Sequence, residues 1–170
     1  MTTPDSTVQQ SPAGNSLVIT RVFDAPVELV WRAWTESEHL MQWWGPEHFT
    51  APVCTIDFRV GGKYHYCMRS PEGQDFWNAG FFREIVPYQR IVYTDSFADA
   101  EGNLVSSAHY GMGDDLPMEM IVILTFEDVD GKTRLTLTQQ GLPAGEFADM
   151  SVAGWNQSLD KLAASLKAQG

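Results

Sequence analysis

The chain has 170 residues, long enough for one domain with a substantial core and too short for a second of ordinary size. Its 22 acidic residues against 11 basic ones leave a formal net charge of -11, a field that repels phosphate backbones and anionic headgroups, so nucleic acid is a poor partner. No stretch approaches the roughly 20 apolar residues of a bilayer span, and the start lacks the basic and apolar runs of a signal peptide; the expectation is a cytoplasmic protein without membrane insertion.

Residues 1–16 are rich in Thr, Ser, Gln, Pro, Gly and Asn and nearly free of apolar side chains, so they are expected as a disordered tail ahead of one domain at residues 17–168. The β-branched and apolar run at 17–23 predicts a strand, and Asp24-Ala25-Pro26 hands it to a helix, since proline suits a first helical turn. Val27, Val30, Trp31 and Trp34 recur at helical spacing and mark that helix's buried stripe. Thr35 and Glu38 have the spacing of a capping box opening a second short helix, which Gly45-Pro46 ends.

The period then changes to that of strands. Runs at 53–60 and 63–70 flank Gly61-Gly62, which predicts a two-residue hairpin turn pairing Val60 with Lys63 and setting Cys54 opposite Arg69. Both cysteines, Cys54 and Cys67, are expected as free thiols, because that register leaves them diagonal neighbours on one face, too far apart for a comfortable disulfide. Further strands follow at 76–86 and 91–97, then a polar, glycine-rich loop at 99–115, then strands at 118–126 and 133–140 joined through Asp130-Gly131. Ala148, Val152, Trp155, Leu159, Leu162 and Leu166 advance by four, three, four, three and four, the apolar stripe of a long helix whose other faces carry Asp149, Gln157, Asp160, Lys161 and Lys167. Seven strands, two short helices and a long C-terminal helix predict an α+β domain with that helix against one face of the sheet.

Conventional catalytic and cofactor signatures are absent from the sequence. His39, His48, His65 and His109 are scattered and neither cysteine has a partner at metal-site spacing, so neither metal nor cofactor is expected. There is no phosphate-binding glycine loop, no dinucleotide fingerprint and no nucleophile elbow. The aromatic and methionine content is unusual instead. Tyr64, Tyr66 and Met68 share one strand face, as do Met118, Met120 and Val122, and 6 tryptophans are more than a small core readily satisfies. Gly154 inside the last helix costs about 1 kcal/mol against alanine, which points to a close neighbour there or to a tolerated imperfection.

Several segments together resemble one family. They are Arg21-Val22-Phe23-Asp24-Ala25-Pro26 leading to Val30-Trp31, Trp43-Trp44-Gly45-Pro46, and Asp57-Phe58-Arg59-Val60-Gly61-Gly62-Lys63-Tyr64. Further on come Gly80-Phe81-Phe82-Arg83-Glu84-Ile85-Val86-Pro87, the Gly131-Lys132-Thr133-Arg134-Leu135 turn, and Gly154-Trp155 with Leu159, Leu162 and Leu166. In this order they resemble the START/SRPBCC, birch-pollen-allergen-like superfamily and, within it, the group similar to the C-terminal domain of the activator of heat-shock-protein ATPase.

The resemblance implies a helix-grip fold: a curved antiparallel sheet around the long last helix, two short helices closing one end, and a cavity between. It implies a small hydrophobic ligand, aromatic, lipid-like or polyketide-like, walled by Trp44, Tyr64, Tyr66, Met68, Phe82, Met120 and Trp155, with Trp77, Tyr93 and Phe97 as further candidates. It brings over no catalytic residue. An enzyme of the same fold is the alternative, with His48, His65, Asp95 and Glu84 available. A stress-response regulator acting on a heat-shock ATPase is the third reading, weakened because the eukaryotic activators carry a separate N-terminal domain where this sequence has a short polar tail. The chain is expected as a monomer or a homodimer.

Overall fold

The structure, a computed structural model, describes residues 5–11, 14–111, 118–141 and 146–169. Strands β1 (Asp5–Ser11) and β2 (Gly14–Phe23) precede helices α1 (Val27–Thr35) and α2 (Ser37–Leu40). Strands β3 (Thr50–Ile56), β4 (Lys63–Arg69), β5 (Asp75–Val86), β6 (Arg90–Ala98), β7 (Met120–Val129) and β8 (Lys132–Gln140) follow, and α3 (Glu146–Gln169) ends the chain. All strands join one antiparallel sheet in the order β1-β2-β8-β7-β6-β5-β4-β3, so the sheet stays open with β1 and β3 as its edges. This is the helix-grip arrangement: Leu17, Ile19 and Phe23 of β2, Leu124 and Phe126 of β7, and Leu135 and Leu137 of β8 are buried together with Leu159, Leu162 and Leu166 of α3.

The grip is polar as well as apolar. Arg21 stands among the inward residues of β2, only 3% exposed, and its guanidinium reaches Asp160 of α3 at 2.7 Å and the Asn156 side chain at 3.2 Å. A guanidinium taken out of water needs such partners, so this pair holds the helix in one register over the sheet. At the closed end, buried Val30, Trp31 and Trp34 confirm the helical stripe of α1, and the indole N–H of buried Trp43 donates to the Ala33 carbonyl at 3.0 Å.

Several expectations are corrected. Residues 5–11, read as part of a disordered tail, form β1, in register with β2 from Asp5 opposite Thr20 to Ser11 opposite Gly14. Composition judged what side chains could bury, whereas an edge strand is held by backbone hydrogen bonds to a neighbour that would otherwise be an edge itself. Residues 1–4, also assigned to the tail, lie outside the described residues. The capping box is not formed: Thr35 Oγ1 donates back to the Trp31 carbonyl at 3.0 Å, and Glu36 occupies the N-cap of α2 without a side-chain cap.

The Gly61-Gly62 turn is also different. β3 ends at Ile56, opposite Tyr64, and residues 57–62 form a longer loop in which the Gly61 N–H and Gly62 carbonyl bond to the Phe82 backbone at 2.7 and 3.0 Å. A Cβ on Gly62 would stand 2.0 Å from the Asp57 carbonyl oxygen, so this glycine serves close approach within the loop. The register moves accordingly. Cys54 lies opposite Tyr66 and faces inward, while Cys67 lies opposite Val53 on the other sheet face. Both thiols are free and buried, and burial pushes the Cys54 thiol up to about 12. By contrast Asp130-Gly131 does make the expected two-residue turn, with φ of 54° and 84° between paired Val129 and Lys132. Met118, read as part of an inward stripe, is exposed, and β7 begins at Met120. The polar loop at 99–115 carries a 3-10 turn, Ser107–Tyr110; its residues 112–115, and the side chain of Ala148, lie outside the described residues.

Candidate functional site

The interior under α3 divides in two. Towards α1 and α2, Trp34, Leu40, Tyr64, Tyr66, Phe82, Ile91, Tyr93 and Leu124 close around a void of about 10 Å³, room for about one water. The Trp34 indole N–H and Tyr93 hydroxyl border it without a hydrogen bond to any described residue. Burial holds the hydroxyls of Tyr64, Tyr66 and Tyr93 well above the usual phenol range, with the neighbouring Asp95 carboxyl adding to it. Gly80 makes this packing possible: a Cβ there would meet the Thr94 carbonyl oxygen at 1.9 Å and the Tyr64 ring at 2.7 Å.

Beyond Trp44, which borders both spaces, lies a cavity of about 240 Å³. Trp44, Gly45 and Pro46 supply one side. Met68 of β4, Phe76 of β5, Phe97 of β6, Met120 of β7 and Gln139 of β8 supply the sheet side, and Met150, Ser151, Gly154, Trp155 and Ser158 of α3 the third. The Trp44 and Trp155 rings meet edge to face at 5.7 Å. Their neighbours absorb the wall's polar atoms: the Trp155 N–H donates to Gln139 Oε1 at 3.0 Å, and Gln139 Nε2 reaches the Met120 sulfur at 3.5 Å. What these residues leave facing the space is apolar and polarizable.

Lys161 positions that wall. Its ammonium donates to the carbonyls of Gly45, Pro46 and Phe49 at 3.1, 3.2 and 3.0 Å, so its three protons meet three acceptors. Burial lowers its pKa from the usual lysine range. Gln157 adds a bond from the Glu47 N–H at 3.0 Å, so the segment after α2 is stapled to α3. Both side chains lie off the helix's apolar stripe, as the sequence places them, and are part-buried because that segment covers them.

Among the described residues, one ionisable group lines the cavity. Asp95 Oδ1 lies 3.1 Å from the Tyr64 hydroxyl and 3.2 Å from Asn78 Nδ2, while Oδ2 takes no hydrogen bond from a described residue. Burial raises the carboxyl above its ordinary range, and the Asn78 and Tyr64 hydrogen bonds oppose that rise. No Lys, Arg or His lies among the described residues that line the cavity.

Of the wall residues implied by the resemblance, Trp44, Met68, Phe97, Met120 and Trp155 line the cavity. Tyr64, Tyr66, Phe82 and Tyr93 belong to the packed end. Trp77 touches the cavity's rim, but its indole stacks at 4.5 Å on His65, which alternates with inward Tyr64 and Tyr66 and so lies on the sheet's other face. The sequence reading missed Phe76 and Gln139. Both were available from the period of two, Phe76 from Phe82 and Gln139 from Leu135 and Leu137.

Among the alternative catalytic candidates, His48 is exposed beside Glu47, His65 is turned outward with Nε2 2.9 Å from the Asp99 carbonyl, and Glu84 pairs with Arg90 at 3.1 Å. Only Asp95 reaches the cavity. Among the described residues no three His, Cys, Asp or Glu side chains converge as a metal site requires, and no helix is long and apolar enough to cross a membrane.

No curated protein matches this sequence. Solved structures do. A protein from Chromobacterium violaceum is 32% identical, with 92% of this chain and 98% of that one covered and a TM-score of 0.72. A protein from Arthrobacter aurescens is 27% identical at a TM-score of 0.78, over 95% of this chain and 91% of its own. The AHSA1 protein from Silicibacter pomeroyi is 26% identical, covers 91% of this chain and 99% of its own, and gives a TM-score of 0.73. The family model for the Activator of Hsp90 ATPase homolog 1-like protein matches residues 24–167, from the turn before α1 to the last turns of α3, and the chain belongs to that family.

Proposed function

We propose that this protein binds a small hydrophobic molecule between α3 and the sheet, in the space bounded by Trp44, Phe76, Phe97, Met120 and Trp155. The observation that carries this reading is the contrast within one interior. Aromatic side chains pack one end down to about 10 Å³ and leave about 240 Å³ at the other, a space that close packing would ordinarily fill. Largely apolar walls reward a ligand by removing its apolar surface from water.

Two measurements test it. Native mass spectrometry of protein purified from its own host should show a retained small molecule. Titration with flat hydrophobic compounds, followed through the fluorescence of Trp44 and Trp155, should give dissociation constants below about 100 μM, roughly 5.5 kcal/mol. If no compound reaches that affinity and no molecule is retained, the reading fails. The family's description supports a second reading, in which the protein acts through its surface on a heat-shock ATPase. A pull-down with that ATPase, scored by ATP turnover, would then change the turnover rate whether or not the cavity is occupied.

A further inference from the structure

We infer that the preferred ligand is a hydrophobic amine whose ammonium group meets Asp95. The inference rests on the cavity being a ligand site and goes on to name the chemistry that site selects. Asp95 is the one acidic side chain among the described lining residues, and no basic side chain accompanies it. Its Oδ1 accepts from the Asn78 amide at 3.2 Å and lies 3.1 Å from the Tyr64 hydroxyl, whose single proton is shared with the Thr94 carbonyl at 2.8 Å, and Oδ2 is left without a partner among the described residues. A carboxylate held this way in an apolar wall lacks the cation that would compensate its desolvation.

A ligand can supply that cation. An ammonium at Oδ2 would gain a charge-assisted hydrogen bond in surroundings where charges interact more strongly than in water. The rings of Trp44, Phe76, Phe97 and Trp155 bound the same space, and aromatic faces add a cation–π attraction for an ammonium. The opposite charge is disfavoured: a fatty-acid carboxylate would set a second negative charge beside Asp95 with no Lys or Arg among the described lining residues to answer it. The chain's net charge of -11 steers cations towards the protein and anions away from it. Burial raises the Asp95 carboxyl above its ordinary range, and an ammonium beside it would favour the charged form.

The test uses three probes of one shape: 4-phenylbutylamine, 4-phenylbutanol and 4-phenylbutanoate, titrated into the full chain by calorimetry and tryptophan fluorescence at pH 7.5. The amine should bind at least about tenfold more tightly than the alcohol, and the carboxylate at least about tenfold more weakly than the alcohol, each tenfold step being about 1.4 kcal/mol. In Asp95→Asn, which keeps the side chain's shape, the amine-to-alcohol ratio should fall to within about threefold of one, near 0.65 kcal/mol. The wild-type series stands by itself if that variant does not fold. The inference is overturned if the alcohol or the carboxylate binds wild type as well as the amine does, or if Asp95→Asn keeps the amine's advantage. Binding of the alcohol without an amine preference would sink the amine alone and leave the cavity reading intact; no binding of any probe at 1 mM would remove both.

Discussion

The two ends of the interior are built from the same kinds of side chain and come out differently. Strand β4 shows this within five residues: Tyr64 and Tyr66 are buried in the packed end, while Met68, next on the same face, borders open space. What differs is the layer opposite. At the packed end, α1 presses Trp34 against Trp43 at 4.6 Å, and Trp43 and Trp44 continue the aromatic contact at 5.7 Å. At the open end, α3 offers Ser151, Gly154 and Ser158, and the facing segment offers Gly45 and Pro46. Large residues meet large ones at one end, whereas at the other small residues stand between Trp44, Met150 and Trp155 and leave space against the sheet.

The sharpest way to break this comparison is to remove one large side chain from each end. Trp34→Ala should cost about 3–5 kcal/mol, because the ring is 5% exposed and packed among other rings. Trp155→Ala should cost about half as much, since its ring is only part-buried beside space already open, yet it should weaken hydrophobic ligands more than Trp34→Ala does. Denaturant melts and fluorescence titrations of both variants would check this. Equal stability losses would mean that the open end is closed in solution.

Lys161→Met tests whether the open end is actively held. Losing three charge-assisted bonds to the carbonyls of Gly45, Pro46 and Phe49 should cost about 2 kcal/mol, less than their sum because those carbonyls can turn to water. Hydrogen exchange should quicken in residues 44–49 and stay unchanged in β7 and β8. Uniform quickening would show that Lys161 supports the whole fold instead of this wall.

Asp95→Asn should stabilise the ligand-free protein at neutral pH by about 1 kcal/mol, the scale of one uncompensated buried polar group. The sign follows from the raised carboxyl. Its folded pKa lies above the unfolded value, so the stability it contributes is full below the ordinary carboxylate range and is lost as pH rises through the raised value. Tyr64, Tyr66 and Tyr93 are the titratable neighbours whose charges couple to it, and all three stay protonated throughout that range. Wild-type stability should therefore fall across that window, and the variant's should not. Parallel pH profiles would show that Asp95 is ionised at no extra cost.

These features were unequally legible in the sequence. The order of strands and helices was readable because each element carries its own period, and the family segments agreed with it. The inward stripes were readable too, and strict use of the period would have set Trp77 apart from Phe82, since an odd and an even position of one strand face opposite ways. What could not be read is where a stripe stops being core. That depends on which residues of α1 and α3 lie across from Tyr66 and Met68, a distance in space with no trace in local spacing. The Gly61-Gly62 error has a similar root: the pair suits a tight turn, but Phe82, about 20 residues on in the chain, claims its backbone groups. Asp95 was visible as a candidate, and only the sheet register brought it beside Asn78 and Tyr64.

The smallest expected effect bears most directly on whether the open end is kept open. Gly154 lies inside α3, where alanine is favoured over glycine by about 0.8–1 kcal/mol. A Cβ at this position would lie 3.8 Å from Pro46 Cγ, an ordinary contact, so Gly154→Ala meets no steric bar and should raise stability by nearly that amount. The close approach considered from the sequence is therefore not what the glycine serves. The added methyl would instead take space from the cavity, between Pro46 and Trp155. If that space receives a ligand, Gly154→Ala should be more stable and bind bulky hydrophobic probes about two- to fivefold more weakly, a loss of about 0.4–1 kcal/mol. A melt paired with a fluorescence titration reads both quantities on one sample. Higher stability with unchanged affinity would place the ligand away from α3; lower stability would show that the wall at Pro46 sits closer to the helix than 3.8 Å in solution.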